Sequence, residues 1–166
     1  MKKLLFCVML LVSVTILPAQ NYQLHAVYIY QFTKYIKWPD AQMEGDFVIG
    51  VLGETPALEH LQKMADVKKA GNRDIVIRKF GDVSEVEPTH ILFVGKEVID
   101  SVSSVLKHIG GKHTLLITEE EGFGLAGSNI NFVERDGRLV FELNRDAMRR
   151  EGLKVSNELA KLAIVI

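Results

Sequence analysis

The chain has 166 residues, with 20 Lys and Arg against 21 Asp and Glu, and Cys7 is its single cysteine. Its nearly balanced, scattered charges lack the basic patch that nucleic-acid-binding proteins carry. One cysteine supports neither an intramolecular disulfide nor a cysteine-based metal site, so hydrophobic packing must stabilise the fold.

The first residues are typical of a secretory signal peptide. Lys2 and Lys3 form a positive start, an apolar run follows, and Ala19 offers the small residue that precedes a cleavage site. The apolar run is shorter than the ~20 residues of a membrane span. We therefore expect a signal peptide at residues 1–19 and one domain at residues 20–166.

Cleavage at this point changes the composition of the mature chain. It removes the only thiol together with two lysines, which leaves 18 basic and 21 acidic residues and a net charge of −3. Thiolate catalysis and disulfide exchange are thereby excluded as functions of the mature protein.

The first predicted element of the mature chain is a helix from Tyr22 to Lys37. It ends at Trp38-Pro39-Asp40, because proline disfavours helix at the preceding residue. Its apolar side chains span an arc wider than the ~100° stripe that one core contact needs. The arc consists of Tyr22, Leu24, His25, Tyr28, Ile29, Phe32, Tyr35 and Ile36.

The wide arc has two interpretations. The helix is either deeply buried within the monomer, or part of it forms a surface for a partner protein or a second copy. The residues assigned to such a surface are Tyr22, Ile29, Tyr30 and Lys34.

Strands and helices alternate through the middle of the chain. Strands are predicted at 47–52, 74–80, 90–94 and 113–118, and helices at 56–65, with Thr55 as N-cap, and at 98–109. This alternation favours a single α/β domain, in which helices cover both faces of a mixed, mostly parallel sheet. Two more helices are predicted at the C-terminal end, at 145–151 and 155–165.

A C-terminal antiparallel hairpin is the clearest local signal. Asp136-Gly137 between alternating strands is typical of a type I′ turn, whose two central residues need positive φ. The turn places Arg135 opposite Arg138, and the same register continues to the open end of the hairpin. One face is then apolar, and the other ends in a polar cluster. The polar cluster consists of Asn129, Asn131, Glu142 and Asn144.

The polar cluster also has two interpretations. In the structural one, Asn144 caps the following helix while Asn131 and Glu142 anchor the glycine-rich stretch before the hairpin. In the functional one, the amides and the carboxylate bind a polar group of a small ligand.

The glycine-rich stretch, residues 122–127, matches the G-x-G-x-x-G pattern of dinucleotide-binding proteins. In those proteins a helix follows and directs its N-terminus at the pyrophosphate, whereas here a strand is predicted to follow. We therefore expect a flexible loop and no nucleotide cofactor. A backbone nest that holds an anion stays open as an alternative.

Other candidate sites are weak. The five histidines lack metal-ligand spacing, and His25 on the apolar arc is expected to be a core residue. Residues 119–121 are three consecutive glutamates, which could hold a hard cation but more often form a solvated loop. No nucleophile–base pair, paired carboxylate or metal-binding motif stands out, so we predict no catalytic residues, no metal and no cofactor.

Several stretches spread over the mature chain carry a family resemblance. YQFTKYIKWP at 30–39, FVIGVLG at 47–53 and HILFV at 90–94 resemble the first helix and two strands of the YfiR-like family of periplasmic regulatory proteins. The glycine-rich stretch with its hairpin, and GLKVS at 152–156 with the helix after it, resemble the rest of that family in the same order.

The resemblance implies a periplasmic regulator that binds an inner-membrane diguanylate cyclase and holds it inactive, so that release raises cyclic-di-GMP and promotes biofilm formation. It also implies a homodimer. The chain departs from relatives with stabilising disulfides, because its mature part has no cysteine. A sensor kinase or another membrane receptor would serve as partner by the same logic. The alternative function is a periplasmic small-molecule binding or sensor protein.

Overall fold

The structure is a computed structural model that describes residues 22–39 and 44–166. The predicted signal peptide and Asp40 of the predicted helix stop lie outside these ranges. Among the described residues, no helix combines the length and the apolar composition of a membrane span.

The first helix, α1, covers Tyr22–Tyr35 and is followed at once by the short strand β1, Ile36–Lys37. The helix was predicted to reach Lys37, so its end is corrected by two residues. Strand β1 pairs antiparallel with β9, Lys154–Val155, near the other end of the chain. This pairing and the restriction that Pro39 places on Trp38 both favour extended backbone here.

The central sheet of the described residues has eight strands, which are β2 Phe47–Leu52, β3 Lys69–Ala70, β4 Arg73–Phe80, β5 Ile91–Val94, β6 Leu115–Thr118, β7 Ile130–Arg135, β8 Arg138–Leu143 and β10 Ile164–Val165. Their order in the sheet is β10-β8-β7-β6-β5-β2-β4-β3. Neighbours pair in parallel except β3 with β4 and β7 with β8. The first four strands predicted from the sequence all lie in this sheet.

Five further helices lie in the described parts of the chain. They are α2 Ala57–Ala65, α3 Val102–Ile109, α4 Phe123–Ala126, α5 Arg145–Arg150 and α6 Asn157–Leu162. Short 3₁₀ segments cover Val83–Glu85 and Lys96–Ser101. The Thr55 hydroxyl accepts a hydrogen bond from the Ala57 N–H at the start of α2, close to its predicted capping role.

Two of the predicted helices differ from the structure. The helix predicted at 98–109 begins only at Val102, because Val98 has the non-helical φ of −119°. The helix predicted at 155–165 is limited to α6, and residues after it form β10 beside β8. In both cases tertiary pairing or a chain bend overrides the local helical pattern.

Apolar side chains cover both faces of the sheet, which confirms the predicted fold class. On one face α1 and α2 pack over a core that includes Ile29, Phe32, Phe93 and Phe132. On the other face α3 packs over a smaller core around Leu92 and Leu116. The central parallel strands β2, β5 and β6 are therefore buried on both sides, as is typical of helix-covered sheets.

The hairpin has the predicted turn and register. Asp136 and Gly137 both have positive φ, 52° and 71°, as a type I′ turn demands. Arg135 pairs with Arg138 and Asn131 pairs with Glu142. The polar cluster is thus assembled on one face of this hairpin, as the register predicted.

Candidate functional site

The glycine-rich stretch forms the one-turn helix α4 between two glycines with positive φ, Gly122 at 87° and Gly127 at 124°. The prediction of a loop is therefore wrong at this point. Gly124, inside the turn, leaves no room for a side chain, because a Cβ there would lie 2.5 Å from Oε2 of Glu142. The turn and the hairpin are therefore in close contact.

Asn131 lies at the centre of the polar cluster and is fully buried. Its Oδ1 lies 2.7 Å from the Thr118 hydroxyl, and its Nδ2 donates to Oε2 of Glu142 at 2.9 Å. The Thr118 hydroxyl is also 2.8 Å from the Ser128 hydroxyl. Both polar atoms of the Asn131 side chain thus have partners on neighbouring strands.

Asn144 joins the glycine turn to the helix after the hairpin. Its Oδ1 accepts from the Ala147 N–H at 2.9 Å, which is the N-cap bond predicted for α5. Its Nδ2 donates to the Gly124 carbonyl at 2.9 Å. The second carboxylate oxygen of Glu142 lies 3.5 Å from Nη2 of Arg135.

Asn129 differs from the other three members of the cluster. It is 2% exposed, and its Oδ1 accepts from the Leu116 N–H at 2.7 Å. Its buried Nδ2 has no hydrogen-bond partner among the described residues. Asn131 and Glu142 are thus in direct contact, whereas the side chains of Asn129 and Asn144 bond to other partners. The role of the four residues as a ligand site stays a prediction.

The acidic run after β6 divides into three environments. Glu119 is buried, Glu120 is exposed, and Glu121 forms two hydrogen bonds with the Arg135 guanidinium, each of 2.9 Å. The hydrogen bonds from Arg135 hold the pKa of Glu121 below its usual range. Among the described residues, no group of His, Cys, Asp and Glu is arranged to hold a metal ion.

Glu119 belongs to a buried polar group that sequence reasoning missed. Its Oε2 lies 3.3 Å from Nε2 of His25, and both side chains are fully buried. Tyr22 forms hydrogen bonds with Glu119 and Thr55. Burial, followed by the negative charge of Glu119, raises the pKa of Tyr22 to about 12.

This buried group lies at the carboxyl ends of the parallel strands, because Thr55 follows β2 and Glu119 follows β6. Many open α/β folds bind their ligands in the crevice at this edge. Here Tyr22 and His25 of α1 occupy the position. The signal in the sequence was the place of Glu119 directly after a buried strand, which separates it from its two neighbours.

A groove of about 640 Å³ runs between α1 and α2. Tyr30 is half-buried in it, with Nζ of Lys34 4.3 Å and Nζ of Lys68 5.7 Å from its ring centroid. The other lining residues are Gln23, Ala26, Val27, Gln31, His60, Lys63, Met64 and Val67. The surface is thus partly apolar, and its charged side chains are basic.

The four residues predicted to form a partner surface differ in their exposure and in whether they line the groove. Tyr30 and Lys34 line the groove, and Tyr22 is half-buried at the start of α1. Ile29 is fully buried in the core, so it supports this surface from beneath without forming part of it. The helix is not covered completely, because Leu24 and Val27 are 41% and 49% exposed.

Comparison with known proteins gives a family and a fold. The sequence model of the YfiR/HmsC-like family matches residues 22–164. No curated protein matches the chain at a significant level. The crystal structure of a conserved domain protein from Vibrio cholerae O1 biovar El Tor strain N16961 is similar, with a TM-score of 0.60 and 10% sequence identity.

The similarity to the Vibrio structure covers 87% of this chain and 60% of that one, so the present chain spans 60% of its length. At 10% identity the likeness concerns the fold alone.

Proposed function

Because the chain belongs to the YfiR/HmsC-like family, we propose that it is a periplasmic protein that binds an inner-membrane signalling protein and represses it. Proteins of this family are known as periplasmic regulators of cyclase signalling, which supports a regulatory role. The proposed partner is the periplasmic part of a diguanylate cyclase. Release of the partner then raises cyclic-di-GMP and promotes biofilm formation.

The groove between α1 and α2 is the observation that supports partner binding most directly. It combines the aromatic ring of Tyr30 with two aliphatic side chains, Val27 and Val67, which are 49% and 74% exposed. Exposed apolar groups beside an aromatic residue are typical of protein-binding surfaces. Two helices with a groove between them also suit a helical segment of a partner.

Charge defines the segment that would fill the groove. Lys34 and Lys68 form no ion pair with any residue that the structure describes, while Lys63 is paired with Glu59. An acidic segment with apolar side chains at helical spacing would place carboxylates on Lys34 and Lys68, and apolar groups on Tyr30 and Val67. We assign this chemistry to the partner.

The proposal includes no enzymatic activity. The family is regulatory, and the carboxylate of Glu142, the one acid of the polar cluster, accepts a hydrogen bond from Asn131. Turnover of any substrate that is lost in Glu142→Gln would contradict this part of the proposal.

Homodimer formation, implied by the family resemblance, is a further part of the proposal. Sedimentation of the purified protein measures its oligomeric state.

Site-specific cross-linking tests the proposed groove. A photoreactive residue at Val67, in the groove, should cross-link an inner-membrane protein in intact cells, whereas one at Leu125, which is 80% exposed on α4, should not. Charge reversal by Lys34→Glu with Lys68→Glu should abolish the cross-link and raise cellular cyclic-di-GMP. Lys107→Glu on the opposite helix α3 is the matched control and should change neither.

Two results would contradict the proposal. An unchanged cross-link after charge reversal would remove the groove as the docking surface. A lost cross-link with unchanged cyclic-di-GMP would retain the groove and reject a cyclase as the partner.

A further inference from the structure

The amide of Asn129 has a hydrogen-bonding capacity that the described structure leaves unused. Its Oδ1 accepts a hydrogen bond from the Leu116 N–H, so exchanging the positions of Oδ1 and Nδ2 would lose that bond. Its Nδ2 is buried and has no partner among the described residues. Leaving such a donor unpaired is unfavourable, and buried polar groups in folded proteins are nearly always paired.

Asn129 lines a cavity of about 350 Å³ on the α3 side of the sheet. The cavity lies between the C-terminal end of α3, the glycine turn and α5, and Leu106, Ile109 and Ala126 contribute its apolar wall. Its volume is within the range of small-molecule sites. It is separate from the α1–α2 groove, which is on the other face of the sheet.

Arg150 supplies positive charge to the same cavity. It is exposed on α5 and forms no ion pair with any residue in the described parts of the chain. Its guanidinium lies close to the glycine turn, because Nη2 would be 3.8 Å from a Cβ placed on Gly127. A guanidinium and an amide N–H₂ group offer only donors, so both select a ligand with acceptor oxygens.

We propose that this cavity binds a small organic monocarboxylate, whose carboxylate accepts hydrogen bonds from Asn129 Nδ2 and Arg150 while its apolar body packs against Leu106 and Ile109. Charge-assisted bonds of this kind are about twice as strong as neutral ones. The apolar wall excludes a ligand that is polar throughout.

Glu151 favours a single negative charge on the ligand. Its carboxylate also lines the cavity, and its two oxygens accept hydrogen bonds from the N–H groups of Gly111 and His113, at 3.1 and 3.0 Å. This fixed charge partly offsets that of Arg150. A second negative charge on the ligand would be repelled by Glu151 as well as attracted by Arg150, so the cavity offers a phosphate dianion little advantage over a carboxylate.

Binding of phenylacetate to the purified protein tests the proposal, with phenylacetamide as the uncharged comparison. Calorimetry should give a dissociation constant on the order of 1 mM or tighter for phenylacetate, as ten ligand atoms allow, and at least about tenfold weaker binding of the amide. Arg150→Gln should weaken phenylacetate binding at least about tenfold. Arg149→Gln, on the same helix and paired with Asp146 outside the cavity, should leave it unchanged.

A second variant tests the amide itself. Asn129→Asp keeps an oxygen for the Leu116 N–H and replaces Nδ2 by an oxygen that repels a carboxylate, so binding should be lost while the circular dichroism spectrum is retained. Equal affinity for phenylacetate and phenylacetamide, no binding of either, or equal effects of Arg150→Gln and Arg149→Gln would overturn the proposal. Loss of the partner cross-link at Val67 has no bearing on this result, because the measurement uses the isolated protein.

Discussion

Glu119 shows how one residue of an acidic run acquires a structural role that its neighbours lack. Its carboxylate is withdrawn from water, and contacts with His25 and Tyr22 offset the cost of that burial. Glu120, the next residue, is exposed and has no such role. The pair therefore provides a test with a built-in control.

Glu119→Ala should lower the free energy of unfolding by about 3 kcal/mol, because it removes the acceptor that pairs His25 and Tyr22 inside the protein. Glu120→Ala should change it by less than about 0.5 kcal/mol, as surface substitutions do. Urea denaturation of the two variants measures the difference. Equal stabilities would show that the buried contact contributes nothing net.

The raised pKa of Tyr22 makes the stability contributed by this buried group depend on pH. That pKa is about 12 in the folded protein and about 10 when unfolded, so the folded state holds the phenol proton more tightly. The contribution of this group to stability is therefore complete below pH 10 and is lost as the pH rises towards 12. The loss should be on the order of 1 kcal/mol, because Tyr22 is partly exposed to solvent.

Tyr22→Phe provides the measurement. Its stability should fall less between pH 10 and pH 12 than that of the original protein, in denaturation curves recorded at both pH values. A fall of the same size in both proteins would mean that other groups account for the alkaline loss.

At the scale of elements, the glycine turn α4 and helix α5 are held together by one side chain. Asn144 caps α5 through Oδ1 and holds the Gly124 carbonyl through Nδ2. The turn also contacts the hairpin closely at Gly124. The stretch that resembled a dinucleotide loop is therefore an anchored corner between the hairpin and the next helix.

Asn144→Ala should destabilise the protein by about 1–2 kcal/mol, because it removes both the cap and the bond to Gly124. Asn144→Asp should cost roughly half as much, since aspartate is an equally good N-cap but has no N–H₂ group to donate. Thermal denaturation of both variants measures the order. If the aspartate variant is as unstable as the alanine variant, the whole loss of stability comes from the bond with the Gly124 carbonyl.

At the scale of the whole molecule, the two faces of the sheet carry different candidate surfaces. The basic groove lies between α1 and α2, and the cavity lined by Asn129 and Arg150 lies between α3, α4 and α5. A ligand in the cavity would influence partner binding only if its affinity differs between the free and the bound protein, and the influence would be mutual. Titrating phenylacetate into the cross-linking reaction measures this coupling.

The predicted signal peptide determines where the mature chain begins. The N-terminus of protein recovered from the periplasm should be Gln20, because cleavage follows the small residue Ala19. Mass spectrometry of the recovered protein reads this directly. Ala19→Arg should block cleavage after residue 19. Recovery of the original protein with Met1 still present would show that residues 1–19 are not a cleaved signal peptide.

Local sequence determined the features whose physical causes are local. Asp136-Gly137 fixed the hairpin register because few turn types fit positive φ at both positions, and Asn144 was recognisable as a cap from the helix that follows it. The alternation of apolar strands and helices was sufficient for the fold class. The family resemblance, confirmed over residues 22–164, drew on the same stretches.

Tertiary structure decided what depends on distant partners. Ile36–Lys37 and Ile164–Val165 are strands because they pair with β9 and β8, whereas their local pattern is helical. Burial of Glu119 requires α1 to lie over the ends of the strands, and the unused donor of Asn129 appears only once Leu116 has taken its oxygen. Such contacts join residues far apart in the chain, so the local pattern of the sequence does not identify the partners.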